Sequence, residues 1–237
     1  QMDQFKEELV HLIVHDMKNP LFVIQGNLQM MSMGLEQSAS DMLKKYVGRI
    51  DRSAQNLLRM VTNLIDISKI EQGKLHLHLE VTNLNEVVEK TVNKYREYPE
   101  YSQKVINTEL ASGLPMVHID RSVVEQVIDN LLSFSIPNVP NDGKVEIRTG
   151  TEGDQVTVSI QDFGIQIPHK YKNRLFDKYS QVQIKDEGYR LSRALGFTFS
   201  RMAAEAHGGS LVLDEQNQVG NLFVLKIQQK PATQGLK

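Results

Sequence analysis

Near its start the chain sets His15 beside Asp16, with Asn19 four residues after the histidine and Pro20 directly behind it. Histidine is the side chain whose ring is largely neutral near pH 7, so it can act as a nitrogen nucleophile. A carboxylate at the next position can orient that ring and take its proton. In a helix, residues four apart share a face, so Asn19 can reach whatever docks on His15. Two other histidine arrangements invite a metal reading. His11 lies one turn before His15, but no acidic base stands between them and no third ligand is evident, so it is expected on the surface. His76 and His78 alternate with Leu75, Leu77 and Leu79, which reads as the solvated face of a strand rather than a metal site.

The elements that must carry these groups follow from periodicity. Residues 1–72 read as two long helices. Phe5, Leu9 and Leu12 begin an apolar stripe, His15–Asn19 interrupts it, and Leu21, Ile24, Leu28 and Met31 resume it. Pro20 removes one helical hydrogen bond and is expected to kink the first helix. A turn is expected from Met33-Gly34 to Ser40. The second helix carries Leu43, Val47, Ile50, Ala54, Leu57, Val61 and Leu64, spaced alternately by four and three, which is a heptad seam. Two helices bury such a seam poorly alone, whereas a homodimer forming a four-helix bundle buries it well; a hairpin packed on the second domain is the other option. Gln72-Gly73 ends the pair.

The rest reads as α+β. Helices are expected over Leu84–Tyr98, Ser122–Ser133 (capped by Asp120) and Arg193–Ala206, stopped by His207-Gly208-Gly209. Strands are expected at Leu75–Leu79, Lys144–Thr149, Gln155–Gln161, Ser210–Leu213 and Leu222–Ile227, two pairs of them joined as hairpins. The expected fold is an α-helical hairpin forming a dimeric four-helix bundle, followed by an α+β sandwich with a mixed sheet and helices on one face. The division falls at 1–73 and 74–229, with a disordered tail over 230–237.

Composition narrows the function. The 237 residues are 40% hydrophobic, enough for packed cores, and the net charge of -2 gives no basic field for nucleic acid. The absence of cysteine removes disulfides and thiolate metal sites. No run reaches the roughly 18 apolar residues of a membrane span, and no signal peptide is visible. The expectation is a cytoplasmic fragment whose upstream sensor or membrane part lies outside the sequence.

The segment His15-Asp16-Met17-Lys18-Asn19-Pro20-Leu21, with Leu64–Gly73 at the end of the second helix, resembles the phosphoacceptor region of sensor histidine kinases. The remainder resembles their ATP-binding domain of the gyrase/Hsp90/kinase/MutL type, and the likeness covers nearly all of residues 1–230. It implies His15 as phosphoacceptor, Asp16 as base, and Asn19 as the residue that positions water for dephosphorylating a response regulator. It also implies a residual nucleotide pocket of Asn130, Asp162, Gly164 and Gly196.

That pocket departs from the family pattern. Val127–Pro137 resembles the asparagine helix, but Phe134 replaces the second asparagine, a magnesium ligand in the family, and Pro137 replaces a basic residue and should break the helix early. In Asp162-Phe163-Gly164-Ile165-Gln166, glutamine replaces the second glycine. In Ser192-Arg193-Ala194-Leu195-Gly196, serine and alanine replace glycines that let backbone N–H groups cradle phosphate. The lid over Gln181–Arg190 is short. Phe176 belongs to an aromatic motif that mainly packs. If each of the five replacements costs about 1–2 kcal/mol, their rough sum removes about three or more decades of affinity, even allowing for non-additivity.

The reading is therefore a two-component histidine-kinase core with an impaired ATP site. It would act by phosphotransfer or phosphatase action on a response regulator receiver domain, or by controlling another histidine kinase. No cofactor is expected to bind tightly. One rival is an active ATP-dependent autokinase using Mg-ATP in a divergent pocket, with Arg190 and Arg193 as replacement cations. The other is a non-catalytic interaction scaffold.

Overall fold

The structure, a computed structural model, describes residues 17–31, 39–98, 101–177 and 194–229. Helix α1 covers residues 17–31 and continues through Pro20. Helix α2, Ala39–Glu71, ends where Gly73 adopts φ 64° and Lys74 N–H donates to Lys69 O at 2.8 Å. Glycine is favoured there because a Cβ resists that left-handed conformation. Along α2 the residues that become buried are Ser53, Asn63 and Ile67. The heptad seam lies on a different face, and its members Leu43 and Val47 remain 40% and 49% exposed.

Beyond α2 the chain forms a short antiparallel ribbon and a five-stranded sheet. Strand β1, Glu80–Thr82, pairs with β3, Val117–Ile119. Helix α3, Leu84–Arg96, is capped by Asn83, whose side chain accepts from Asn85 N. The sheet order is β2-β4-β5-β7-β6: Val105–Glu109, Lys144–Glu152, Gln155–Asp162, Asn221–Gln228 and Ser210–Leu213. β2 runs parallel to β4 and the other pairs are antiparallel, as a mixed sheet requires. Every second residue of β5 and β7 is buried, so one face of the sheet makes the core. Helix α4, Arg121–Asn138, packs on β4 and β5, and α6, Ala194–Ala206, packs on β6 and β7. A short helix α5, His169–Lys172, precedes Phe176.

Asp120 caps α4 by accepting from Ser122 N and Val123 N. Burial opposes its charge, but these bonds, with those from Ser122 Oγ and His78 N, hold its carboxyl below the ordinary range. His207 fastens the far end of α6 to the same corner. Its Nδ1 lies 2.7 Å from Ala203 O, and Asp120 N–H donates to its Nε2 at 3.1 Å. Burial pushes the His207 ring below its usual value, which matches a neutral ring accepting at Nε2.

Three expectations need correcting, and two strands were missed. The alternation over Leu75–Leu79 is not a strand; the ladder is confined to Glu80–Thr82. Antiparallel register sets Glu80 opposite Ile119, so any extension would meet Asp120, where α4 begins, and His78 N–H bonds the Asp120 carboxylate instead. Pro137 does not break α4 early, because the helix reaches Asn138 and Lys104 Nζ holds the carbonyls of Ile136 and Val139 at 2.8 and 2.7 Å. Helix α3 stops at Arg96 rather than Tyr98. β2 and β3 escaped the sequence reading: β2 is an edge strand burying only Ile106, and β3 has three residues.

Candidate functional site

The phosphoacceptor pair His15 and Asp16 lies outside the described residues, as do Ser192, Arg193 and the lid segment 181–190. Asn19 is described and lies exposed on α1. His76 and His78 are exposed, and among the described residues no group of three or more metal-ligating side chains is assembled.

The four residues of the expected nucleotide pocket fall into two pairs. Asn130 meets Gly196, which is so close that an added Cβ would stand 3.1 Å from the Asn130 amide. Asn130 is also 3% exposed and exchanges two hydrogen bonds with Asn63 of α2. Its Nδ2 donates to Asn63 Oδ1 at 3.1 Å, and its Oδ1 accepts from Asn63 Nδ2 at 3.2 Å. Gln126 Nε2 donates to Asn63 Oδ1 at 2.9 Å. One residue before Asn130, Asp129 receives Arg59 Nε from α2 at 2.8 Å and Tyr95 Oη at 3.0 Å. The polar face of α4 is thus bonded to α2, and buried polar groups matched this way are costly to separate.

The second pair is Asp162 with Gly164, whose N–H donates to Asp162 Oδ1 at 3.1 Å. Asp162 is fully buried. Its carboxylate also accepts from Asn138 Nδ2 at 2.9 Å and from Asn221 Nδ2 at 3.0 and 3.1 Å. Burial pushes its carboxyl above the ordinary range despite those bonds. Gly164 lies against the end of α4, where an added Cβ would come within 2.3 Å of Asn138 O. Eight residues of α4 separate Asn130 from Asn138, so the two pairs lie roughly 12 Å apart along the helix.

Between them stands Phe134. It meets Phe197 and Phe223 edge-on, with centroids 5.1 and 5.8 Å away. Phe197 and Phe223 stack at 5.5 Å, and Phe176 meets both. Edge-on and offset rings attract beyond their burial. Gln166, where the family has glycine, is exposed and donates to Asn217 O at 2.8 Å.

Asn63, Asn138 and Asn221 were missed in the sequence, although they bond the Asn130 amide and the Asp162 carboxylate. Only Asn63 left a trace, an amide one turn before Ile67 on the same helical face. Asn138 and Asn221 stand at the end of one element and the start of another, where asparagine is unremarkable.

Residues 5–73 match the family described as His Kinase A (phospho-acceptor) domain. Residues 119–231 match the family of histidine kinase-, DNA gyrase B- and HSP90-like ATPases. Histidine kinase P4 of Formosa agariphila is 25% identical over 94% of this chain, and the non-motile and phage-resistance protein of Caulobacter vibrioides is 30% identical over 87%. The chain spans 16% and 25% of those proteins' lengths. The Acinetobacter baumannii histidine kinase AdeS superposes with a TM-score of 0.62 at 22% identity, covering 91% of this chain and 98% of that one. Histidine kinase ThkA in complex with response regulator protein TrrA superposes with a TM-score of 0.65 at 23% identity, covering 96% and 63%. No helix among the described residues is long and apolar enough to cross a membrane.

Proposed function

Since the chain joins a phosphoacceptor domain to a kinase-type ATPase domain and belongs to the sensor histidine kinases, we propose that it is a signalling core whose phosphoacceptor helices work while its nucleotide site is impaired. One observation carries this reading: the side chains left in the pocket are already engaged within the protein. Asn130 is bonded to Asn63, Asp162 to Asn138 and Asn221, and Phe134 to the phenylalanine cluster. Magnesium requires near-octahedral oxygen ligation, and phenylalanine supplies none at the position where the family has its second asparagine. Release of Asn130 for a ligand would also take from Asn63 Nδ2 the acceptor it bonds at 3.2 Å. These residues do not fit Mg-ATP, so no step is assigned to it.

The chemistry then rests on the phosphoacceptor segment, His15 to Asn19. A neutral His15 nitrogen can take the phosphoryl group of an aspartyl phosphate on a response regulator, with Asp16 orienting the ring. Asn19 is exposed and can hold a water in line with that same phosphate, giving dephosphorylation. The core works as a homodimer through the seam of α2, with its two domains dividing near residue 73.

The test mixes the chain with phosphorylated receiver domains and follows label on both partners, alongside a Mg-ATP titration. His15→Ala is expected to abolish transfer to the chain, and Asn19→Ala to reduce mainly the release of phosphate. Saturable Mg-ATP binding at micromolar concentration, lost on Asp162→Ala, would establish the autokinase instead. A regulator that binds yet neither gives nor loses phosphate would leave the chain as a scaffold.

A further inference from the structure

Lys172, the last residue of α5, is 3% exposed, and its ammonium faces the turn between β6 and β7. Nζ lies 3.3 Å from Asp214 O, 3.5 Å from Glu215 O and 3.3 Å from Asn217 O. The three distances are nearly equal, and each is longer than a strong hydrogen bond, so the charge is shared by a ring of carbonyls rather than given to one. A buried ammonium needs such acceptors, because its three donors lose water on burial. The carboxylates of the same turn have partners of their own. Asp214 Oδ1 accepts from Gln216 N at 2.8 Å, and Glu215 Oε2 lies 3.8 Å from His169 Nε2. One member of the ring is bonded twice: Asn217 O also accepts from Gln166 Nε2 at 2.8 Å. The Asn217 side chain accepts from Gln161 Nε2 at 3.1 Å. The ring thus joins α5, the β6–β7 turn, and the loop after β5 that carries Gln166.

We propose that this ring is a monovalent-cation site that the chain fills from within, with Lys172 in the role of a bound potassium or ammonium ion. Converging backbone carbonyls are the ligands that replace the hydration shell of a potassium ion. Neutral oxygens suit a single positive charge, and an ammonium on a flexible stem is a compact point charge able to reach them. A resident ammonium holds the ring whatever ions the solution contains, so the turn needs none of them. Lys172 is then a positioning residue. Through Asn217 O it fixes Gln166, which stands where the family has glycine. The assignment stands whether or not the pocket takes Mg-ATP.

The full chain carrying Lys172→Ala, which removes both the ammonium and its stem, is unfolded in urea with potassium, ammonium or choline chloride at equal ionic strength. In choline its midpoint is expected to fall by at least about 0.5 M relative to the parent protein. Potassium or ammonium should restore at least about half of that loss, as a ligand bound only by the folded state does. The parent protein should respond alike to all three salts. Lys172→Met leaves an apolar side chain against the ring and should not be rescued; it also serves if Lys172→Ala folds poorly. In Lys172→Met, hydrogen exchange should quicken at least about tenfold at Asp214 N, which donates to Leu222 O, and at Ile167 N, which donates to Asn221 Oδ1. The inference is overturned if choline rescues Lys172→Ala as well as potassium does, or if neither potassium nor ammonium rescues it. It is equally overturned if potassium stabilises the parent protein or Lys172→Met beyond choline, or if exchange at both amides is unchanged in Lys172→Met.

Discussion

Restoring the missing asparagine by Phe134→Asn separates a packed pocket from one that a single ring obstructs. Phe134 makes two edge-on ring contacts, at 5.1 Å with Phe197 and 5.8 Å with Phe223. At about 1 kcal/mol each beyond burial, they contribute about 2 kcal/mol. The half-buried ring adds about 1 kcal/mol of transfer free energy. The new amide faces Phe197 and Phe223, which are 1% and 0% exposed and offer it no partner, so about 1 kcal/mol more is lost. The expected destabilisation is therefore about 4 kcal/mol by urea unfolding followed by circular dichroism, against about 2 kcal/mol for Phe134→Leu, which keeps an apolar side chain. Mg-ATP affinity is expected to stay negligible, since Asn130 and Asp162 remain bonded within the protein. A loss below about 1 kcal/mol would refute the packing argument. Micromolar Mg-ATP binding by Phe134→Asn would refute the claim that the pocket is closed at several points.

Other perturbations follow from the same geometry. Gly164→Ala forces a Cβ onto the backbone of Asn138 and should cost about 2–3 kcal/mol in urea unfolding. His207 has a folded-state pKa below its unfolded value of about 6.5, so its unfolded form binds more protons. Its contribution is therefore complete above that value and lost as pH falls through and below it. Urea midpoints should drop on acidification from about pH 7.5 to about pH 5.5, and the drop should shrink in His207→Gln. Leu57→Asp places a charge in the seam of α2; light scattering should show a dimer become a monomer, and a monomeric parent protein would end the bundle proposal.

What was legible in the sequence was whatever rests on local pattern. Alternation gave β4, β5, β6 and β7, and the Asp120 cap gave the start of α4, because burial on one face writes itself into every second residue. Phe134 was read as a ring standing where the family has an oxygen ligand. Its partners Phe197 and Phe223 lie on separate elements, and no local rule pairs them. The same holds for Asn63 with Asn130, 67 residues apart. The alternation at Leu75–Leu79 misled because a strand needs a partner, and the partner had already become a helix cap.

Helix α2 carries two loads. Its seam faces one way, and roughly a third to a half of a turn round the helix Asn63 and Arg59 hold α4. In the proposed dimer this rod would be gripped on two sides, and it could not roll to repack the seam without dragging Asn130 and Asp129 with it. Mechanically, α2 is a crankshaft. In that dimer Asn63 and Arg59 would be the bearings that turn any rotation of the helical pair into displacement of α4, and their stiffness would set how faithfully one motion reports the other.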